Sequence, residues 1–397
     1  MSEKKTILFI AEELDTNGAM MSLIALLKAL SSYDYNLSLF LFKHGGRLMN
    51  EIPDNVALLT ERNYYKVYRL SLKDAMSFAL KKFRLDLMLF RLLVSIQRKF
   101  NLNFRLWPFL PKVPGIYDVA CSYADGFVTP LMLRKVDAKR KCAWIHIPYS
   151  KYPQLDYVYD ALRKVDICVP VSDDVSLDLY DILKCKVPTH IVHNLTDPDD
   201  CMAKAAQPCL NERIDGVNRI VSVGRVTPQK FFDIIPSTAI KLKEKDLRFE
   251  WYIIGNGDQF ESLCREVKSL GLNDYVHFIG ARPNPMPWVK SADLVVIPSR
   301  FESWGMTVSE ALCLGKAVIT SDLPVFKEQI TDGVNGVMCH ITPDNLANAI
   351  EHVLIDEKFR RKLEQNAVNY PFTKEVVVAE FEALVDKMLC REDDHIG

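Results

Sequence analysis

The hydrophobic pattern of the 397-residue chain alternates between short apolar runs of strand length and longer segments with helical period. Runs at residues 6–11, 117–123, 142–147, 166–172 and 190–194 predict buried strands in the first half. RIVSVG from Arg219, WYIIG from Trp251, VHFIG from Val276, then 294–297 and 317–320 predict the second set. Helical segments lie between them, such as SLIALLKAL from Ser22 and the stretches 342–363 and 372–390. Apolar strands alternating with helices predict an α/β fold with parallel sheets. The acidic, Pro-broken LTDPDD after Asn194 reads as a linker, so we expect one domain over 1–200 and another over 208–371.

The most informative stretch runs from Leu294 to Asp322, a strand, polar loop, helix and second strand. Ligands of open parallel sheets sit at the carboxyl ends of strands and at the helix N-termini that follow. Glu302 lies in the loop and Glu310 a turn inside the helix, and side chains lean towards a helix N-terminus, so both carboxylates face one crevice. Amides from Gly305 to Thr307 are the donors of the helix start. Acceptors for hydroxyls beside donors for phosphate suit a nucleotide sugar. The plain alternative is a solvated loop acid and an acid favoured near a helix N-terminus.

In the second half, Thr227 reads as an N-cap and Pro228 as the first helical turn, with Arg225 and Lys230 around it. Two cations at a helix N-terminus oppose the macrodipole and call for an anion. Gly255 and Gly257 form a G-x-G without a third glycine. In the first half, Gly18 opens a helix after the first strand, and His146 ends a strand, where a lone His is more often structural than catalytic. Asp197-Pro198-Asp199 has D-x-D spacing but reads as structural, so no metal is expected.

The run PSRFESWGMTVSEALCLGKAVITSDLPVFKEQITDGVNG, residues 298–336, resembles the signature region of family 4 retaining glycosyltransferases. That resemblance implies the GT-B fold, two facing Rossmann-like domains with the active site in the inter-domain cleft. Domain 1–200 would bind the acceptor, joined by the last helix in 372–397, and domain 208–371 would bind a nucleotide-diphosphate sugar, UDP-linked. By resemblance Glu302 contacts the donor sugar, Glu310 the ribose, Arg225 and Lys230 the diphosphate, and His146 the donor sugar from the first domain. Gly18, Gly255, Arg282 near the base, and the loop Ser303, Trp304, Gly305, Met306 and Thr307 complete the implied donor contacts. The chain departs from the family at Ser303 and Phe231, where Gly is common, and at Trp304, where Phe is common. The resemblance implies transfer with retention to a lipid-linked or cell-surface glycan precursor, without metal or cofactor. Rival readings are a catalytically silent, membrane-associated partner and a sugar-nucleotide epimerase or phosphorylase on the same fold. An NAD enzyme would need the full G-x-G-x-x-G.

Composition adds an ordinary soluble balance, with a formal net charge of -1. Ten scattered cysteines lack zinc spacing and point to a reducing compartment, the cytoplasm. MSEKKTILFIAEEL reads as a first strand rather than a signal peptide. Segment 62–112 stands apart, with twelve Lys/Arg against two Asp and abundant Leu and Phe. Arg84, Arg91 and Arg98 recur every seven residues, which predicts one helical stripe facing an anionic membrane on its inner side. A solvated helix is the equal alternative, and no recognition motif supports nucleic acid.

Overall fold

The structure is a computed structural model, described here for residues 4–100, 109–184, 187–208 and 214–390. The chain divides into two compact units, Met1–Leu195 with Glu375–Gly397, and Thr196–Lys374.

Unit 1 is built on β1 (Lys5–Ala11), β2 (Tyr35–Leu41), β3 (Ala57–Leu58), β4 (Ile116–Ser122), β5 (Asp137–Ile145) and β6 (Ile167–Pro170), all paired in parallel in the order β3-β2-β1-β4-β5-β6. β1 runs between β2 and β4, with Ile7 opposite both Leu37 and Val119. Its residues from Ile7 to Ala11 are fully buried, as a strand covered on both faces requires. The strand order reverses between β1 and β4, and the crevice for a ligand opens at their carboxyl ends. The helix Lys374–Leu389 belongs to this unit: Phe381 stacks on Phe9 with centroids 5.8 Å apart, and Glu380 accepts from His193 Nδ1 at 2.8 Å.

Unit 2 repeats the design with β7 (Asn218–Val223), β8 (Phe249–Ile254), β9 (Val276–Gly280), β10 (Leu294–Ile297), β11 (Val318–Ser321) and β12 (Val337–Cys339) in the order β12-β11-β10-β7-β8-β9. Read from its own first strand this is the same order, with the switch between β7 and β10. Leu294 pairs with Ile220, so the loops leaving Val223 and Ile297 emerge side by side.

Three expectations need correction. Residues 190–194 form no strand of the sheet: the chain runs beside β6 through a single bridge, Cys168 to Thr189, and a few further backbone bonds, because Pro188 cannot donate to a ladder. Thr227 caps no helix: residues 227–230 form a turn closed by Lys230 N–H to Thr227 O at 3.0 Å, and the helix begins at Ile235, with Pro236 in its first turn. Arg84, Arg91 and Arg98 form no exposed stripe. Arg84 precedes the helix Leu85–Phe100 and pairs with Asp86, whereas Arg91 is buried and donates twice to Leu70 O, at 3.0 and 3.1 Å, just past the helix Asn63–Arg69. A guanidinium there satisfies a carbonyl that the helix end leaves open. The side chain of Arg98 lies outside the described residues, as do Phe104 and Trp107.

The structural reading of Asp197 agrees with its position. Its side chain accepts from the amides of Asp199 and Asp200 and caps the helix Pro198–Ala205. No helix among the described residues is long and apolar enough to cross a membrane.

Candidate active site

The turn after β7 is pressed against the turn after β8. Gly224 N–H donates to Ile254 O at 3.0 Å and Val226 N–H to Asn256 O at 3.0 Å. A Cβ at Gly255 would lie 1.8 Å from Gly224 O, and one at Gly257 would lie 2.2 Å from Val226 O. The G-x-G pair therefore permits backbone contact between the two turns, whatever else it touches. A Cβ at Gly224 would meet the Lys230 stem at 3.4 Å, so the aliphatic chain of Lys230 lies across Gly224.

That path carries the ammonium to the loop after β10. Lys230 Nζ donates to Glu302 Oε1, and Ser299 Oγ donates to the same oxygen at 2.8 Å. Glu302 is 8 % exposed. Ser299 is itself fixed, since Ser321 Oγ at the end of β11 donates to its carbonyl at 2.6 Å. Arg300 N–H donates to Gln229 O at 2.9 Å, stitching the two loops together. Phe231, where the resemblance leads one to expect Gly, adopts a left-handed conformation (φ 57°, ψ 35°) and carries the Arg300 guanidinium 3.8 Å from its ring centroid. A backbone position that suits Gly is thus held by a large side chain with a cation–π partner.

Beyond Glu302 the chain enters the helix Met306–Cys313 through Gly305, which is left-handed at φ 87°. Here a side chain is excluded twice, by the backbone and by the Phe326 ring 2.6 Å from where a Cβ would sit. No side chain caps this helix and no acid occupies its first turn, so its amide end is open to an anion. Thr307 Oγ1 donates to Val223 O at 3.4 Å, which holds the helix start against the end of β7. Ser303 in the loop and Met306 at the start of the helix are half-buried. Trp304 turns inward: it is 2 % exposed and packs edge-on against Phe372 with centroids 4.8 Å apart. The larger ring in place of Phe thus meets the interior of the unit.

Glu310 projects from the first turns of this helix and is buried. Burial pushes its pKa up to about 7, against the favourable fields of Lys204 and Lys230. Between the ordinary carboxylate range and about 7 the unfolded chain loses this proton while the folded chain keeps it, so stability falls as pH rises through that window and stays lowered above it. Glu310→Gln should therefore stabilise the ligand-free protein at about pH 8 by on the order of 3 kcal/mol, with the gain vanishing towards about pH 4.5. Thermal unfolding at several pH values measures this.

Two expected residues, Arg225 and Arg282, are exposed, unlike the enclosed Lys230–Glu302 pair. Arg225 is exposed on the turn after β7. Arg282 is exposed after β9, the outer strand, with its guanidinium 6.0 Å from the Trp288 ring centroid.

In unit 1, His146 follows β5 and lies against Tyr123 with ring centroids 4.8 Å apart. It is 8 % exposed; among the described residues neither ring nitrogen makes a well-formed hydrogen bond, although the backbone of Tyr123 lies close enough to favour the protonated ring slightly. Burial lowers its pKa to about 3, so the imidazole is neutral. Its backbone N–H donates to both oxygens of Asp125 at 3.3 Å, and Tyr149 OH donates to Asp125 Oδ1 at 3.0 Å. Burial raises Asp125 to about 7. Sequence reading passed over Asp125, because Asp-Gly after a strand resembles a plain turn. The usable signal was its place after β4, at the point where the strand order reverses. Gly18 begins the helix Gly18–Leu30 behind the N-cap Asn17, which is extended at φ −129° and accepts from Met20 N–H, so this turn uses no left-handed residue.

Residues 211–370 match the family described as Glycosyl transferases group 1. An alpha-D-kanosaminyltransferase of Streptomyces kanamyceticus is 26% identical over 225 residues, 54% of this chain and 58% of that protein. The O-antigen biosynthesis glycosyltransferase WclY of Escherichia coli is 31% identical over 144 residues, 35% of this chain and 39% of that protein. The matches thus span roughly half or less of these relatives. The crystal structure of Anabaena Alr3699/HepE in complex with UDP and glucose superposes over 96% of this chain and 99% of that one, with a TM-score of 0.65 at 16% identity. The chain therefore has the GT-B type of fold, and its second unit carries, over residues 211–370, a domain of the Glycosyl transferases group 1 family.

Proposed function

We propose that the chain is a retaining glycosyltransferase that moves a hexosyl group from a UDP-linked donor to a hydroxyl of a lipid-linked or cell-surface glycan precursor on the cytoplasmic side of a membrane. One observation carries the reading: a single oxygen of Glu302 gathers Lys230 and Ser299 where β7 and β10 end, beside the uncapped start of the helix Met306–Cys313. Among the described residues Oε2 of Glu302 accepts nothing, which leaves it for a sugar hydroxyl. The Lys230 ammonium, the Arg225 guanidinium and the helix amides stabilise the charge that builds on the departing diphosphate. In this reading the bond from the anomeric carbon to phosphate breaks as the acceptor oxygen bonds the same face. The acceptor proton passes to the departing phosphate, so neither metal nor cofactor is called for. Glu310 accepts from the ribose hydroxyls, and His146 hydrogen-bonds the donor sugar.

The uridine is supported by the UDP held in the HepE crystal structure, and the acceptor class by the O-antigen relative. A thermal-shift panel of nucleoside diphosphates and nucleotide sugars tests the donor, because a ligand selective for the folded state raises its melting temperature. We expect UDP and one UDP-sugar to shift it most. Titration with bare UDP should then show weakened binding for Glu310→Gln and near-normal binding for Glu302→Gln. The opposite pattern exchanges the two roles.

A further inference from the structure

The helices Leu72–Lys81 and Leu85–Phe100 form a hairpin whose exposed side carries an apolar stripe among charged residues. Along the second helix Leu87, Phe90 and Val94 are fully buried, while Leu85, Leu89 and Leu92 are exposed at spacings of four and three residues. The exposed set is one stripe of the helix, opposite the packed one. Leu80 extends it on the first helix, and Phe83, 94 % exposed, stands at the tip between the helices. Phe83 is also left-handed, at φ 50°. Solvation and backbone both favour Gly or Asn at such a site, and the chain places there the most exposed large apolar side chain among the described residues. Departures of this kind from local preference mark places where another requirement dominates.

The charges beside the stripe point to what meets it. Lys73, Lys81 and Lys82 are exposed and have no ion-pair partner among the described residues. Of the two acids on the hairpin, Asp86 is taken by Arg84 at the tip, and Asp74 accepts from Ser71 at the far end of the first helix. Apolar groups ringed by unpaired lysines match the boundary between acyl chains and anionic headgroups. A second copy meeting this face about a two-fold axis would bring the lysine pairs together, which like charges oppose.

We propose that this hairpin tip is the docking surface for an anionic bilayer, with Phe83, Leu80, Leu85 and Leu89 entering the headgroup boundary and Lys81 and Lys82 pairing with lipid phosphates. It replaces the arginine stripe expected from sequence. The surface serves the lipid-linked acceptor proposed above and rests on that reading for its purpose; vesicle binding tests the surface and sugar transfer tests the reading, so either can fail alone.

The experiment is co-flotation of the full chain with phosphatidylcholine vesicles, with and without about a third phosphatidylglycerol. Binding is expected only to the anionic vesicles and should decline as salt is raised. Phe83→Ser combined with Leu85→Ser, and separately Lys81→Gln with Lys82→Gln, should each weaken it by about tenfold or more. All four side chains are exposed, so the melting temperature and its shift with UDP should be unchanged. The proposal is overturned if the wild type ignores anionic vesicles at low salt, if both variants bind as before, or if the wild type is a dimer that Phe83→Ser dissociates while vesicle binding is absent.

Discussion

Replacing Lys230 with Met is expected to lower sugar transfer by about two to three orders of magnitude and to destabilise the protein by about 3 to 5 kcal/mol. The stability loss arises because, among the described residues, the ammonium is the only cation on the buried carboxylate of Glu302. Without it, one hydroxyl, from Ser299, would face a charge held out of water. The catalytic loss arises because the same ammonium is the proposed stabiliser of the leaving diphosphate. The double variant Lys230→Met with Glu302→Gln separates these contributions. It removes the buried charge with its partner, so most of the stability should return, as it does when both members of a buried pair are replaced. Transfer should not return. Affinity for UDP should fall by about tenfold or more in both variants while affinity for uridine is unchanged, since only the diphosphate meets the lysine. Melting curves, calorimetric titration and a transfer assay on the same preparations decide it. Recovery of transfer in the double variant would make the pair a structural one.

The pairing that dominates this prediction was not legible in the sequence. Lys230 and Glu302 were each read as facing a ligand, but their bond depends on β7 and β10 lying side by side, which only the sheet order reveals. The strands were readable because those buried on both faces appear as unbroken apolar runs: the expected run 294–297 is the observed Leu294–Ile297. The helix start after β10 was readable from Gly305 and the apolar period beyond it. Thr227-Pro228 misled because the same dipeptide serves an N-cap and a tight turn, and the deciding interactions, with the turn after β8, are non-local. The seven-residue spacing of Arg84, Arg91 and Arg98 defines a stripe but not which way it faces. Arg91 went inward because the carbonyl of Leu70 lay within reach. Asp125 was missed for the converse reason, since a carboxylate that looks exposed in a turn motif is half-buried and held by Tyr149 and the backbone of His146.

His146→Leu is expected to lower transfer by about a hundredfold while leaving the protein as stable as before or more so. In most cores these effects move together, because a buried polar side chain is held by partners that its removal orphans. Among the described residues His146 has no well-formed one: both ring nitrogens are buried without a full hydrogen bond, and Tyr123 meets the imidazole ring on ring and through its backbone, which slightly favours the protonated ring. An unpaired buried polar group costs about 1 to 3 kcal/mol, and Leu removes the polar atoms at similar volume. The gain should be largest in acid. With a folded pKa of about 3, the imidazole stays neutral as pH falls below the ordinary histidine range, while the unfolded chain takes up the proton, so wild-type stability is lost from about pH 6.5 downwards and the variant escapes that loss. The same depressed pKa forbids a role as a cationic acid near neutrality. The wild-type rate profile should therefore show no inflection from His146 above about pH 4, and the residue should act as a neutral hydrogen-bonding group towards the sugar. Unchanged transfer in His146→Leu would leave the imidazole a packing group, and a fall in stability equal to that of a cavity-forming change would show that its partners are in the fold rather than in the substrate.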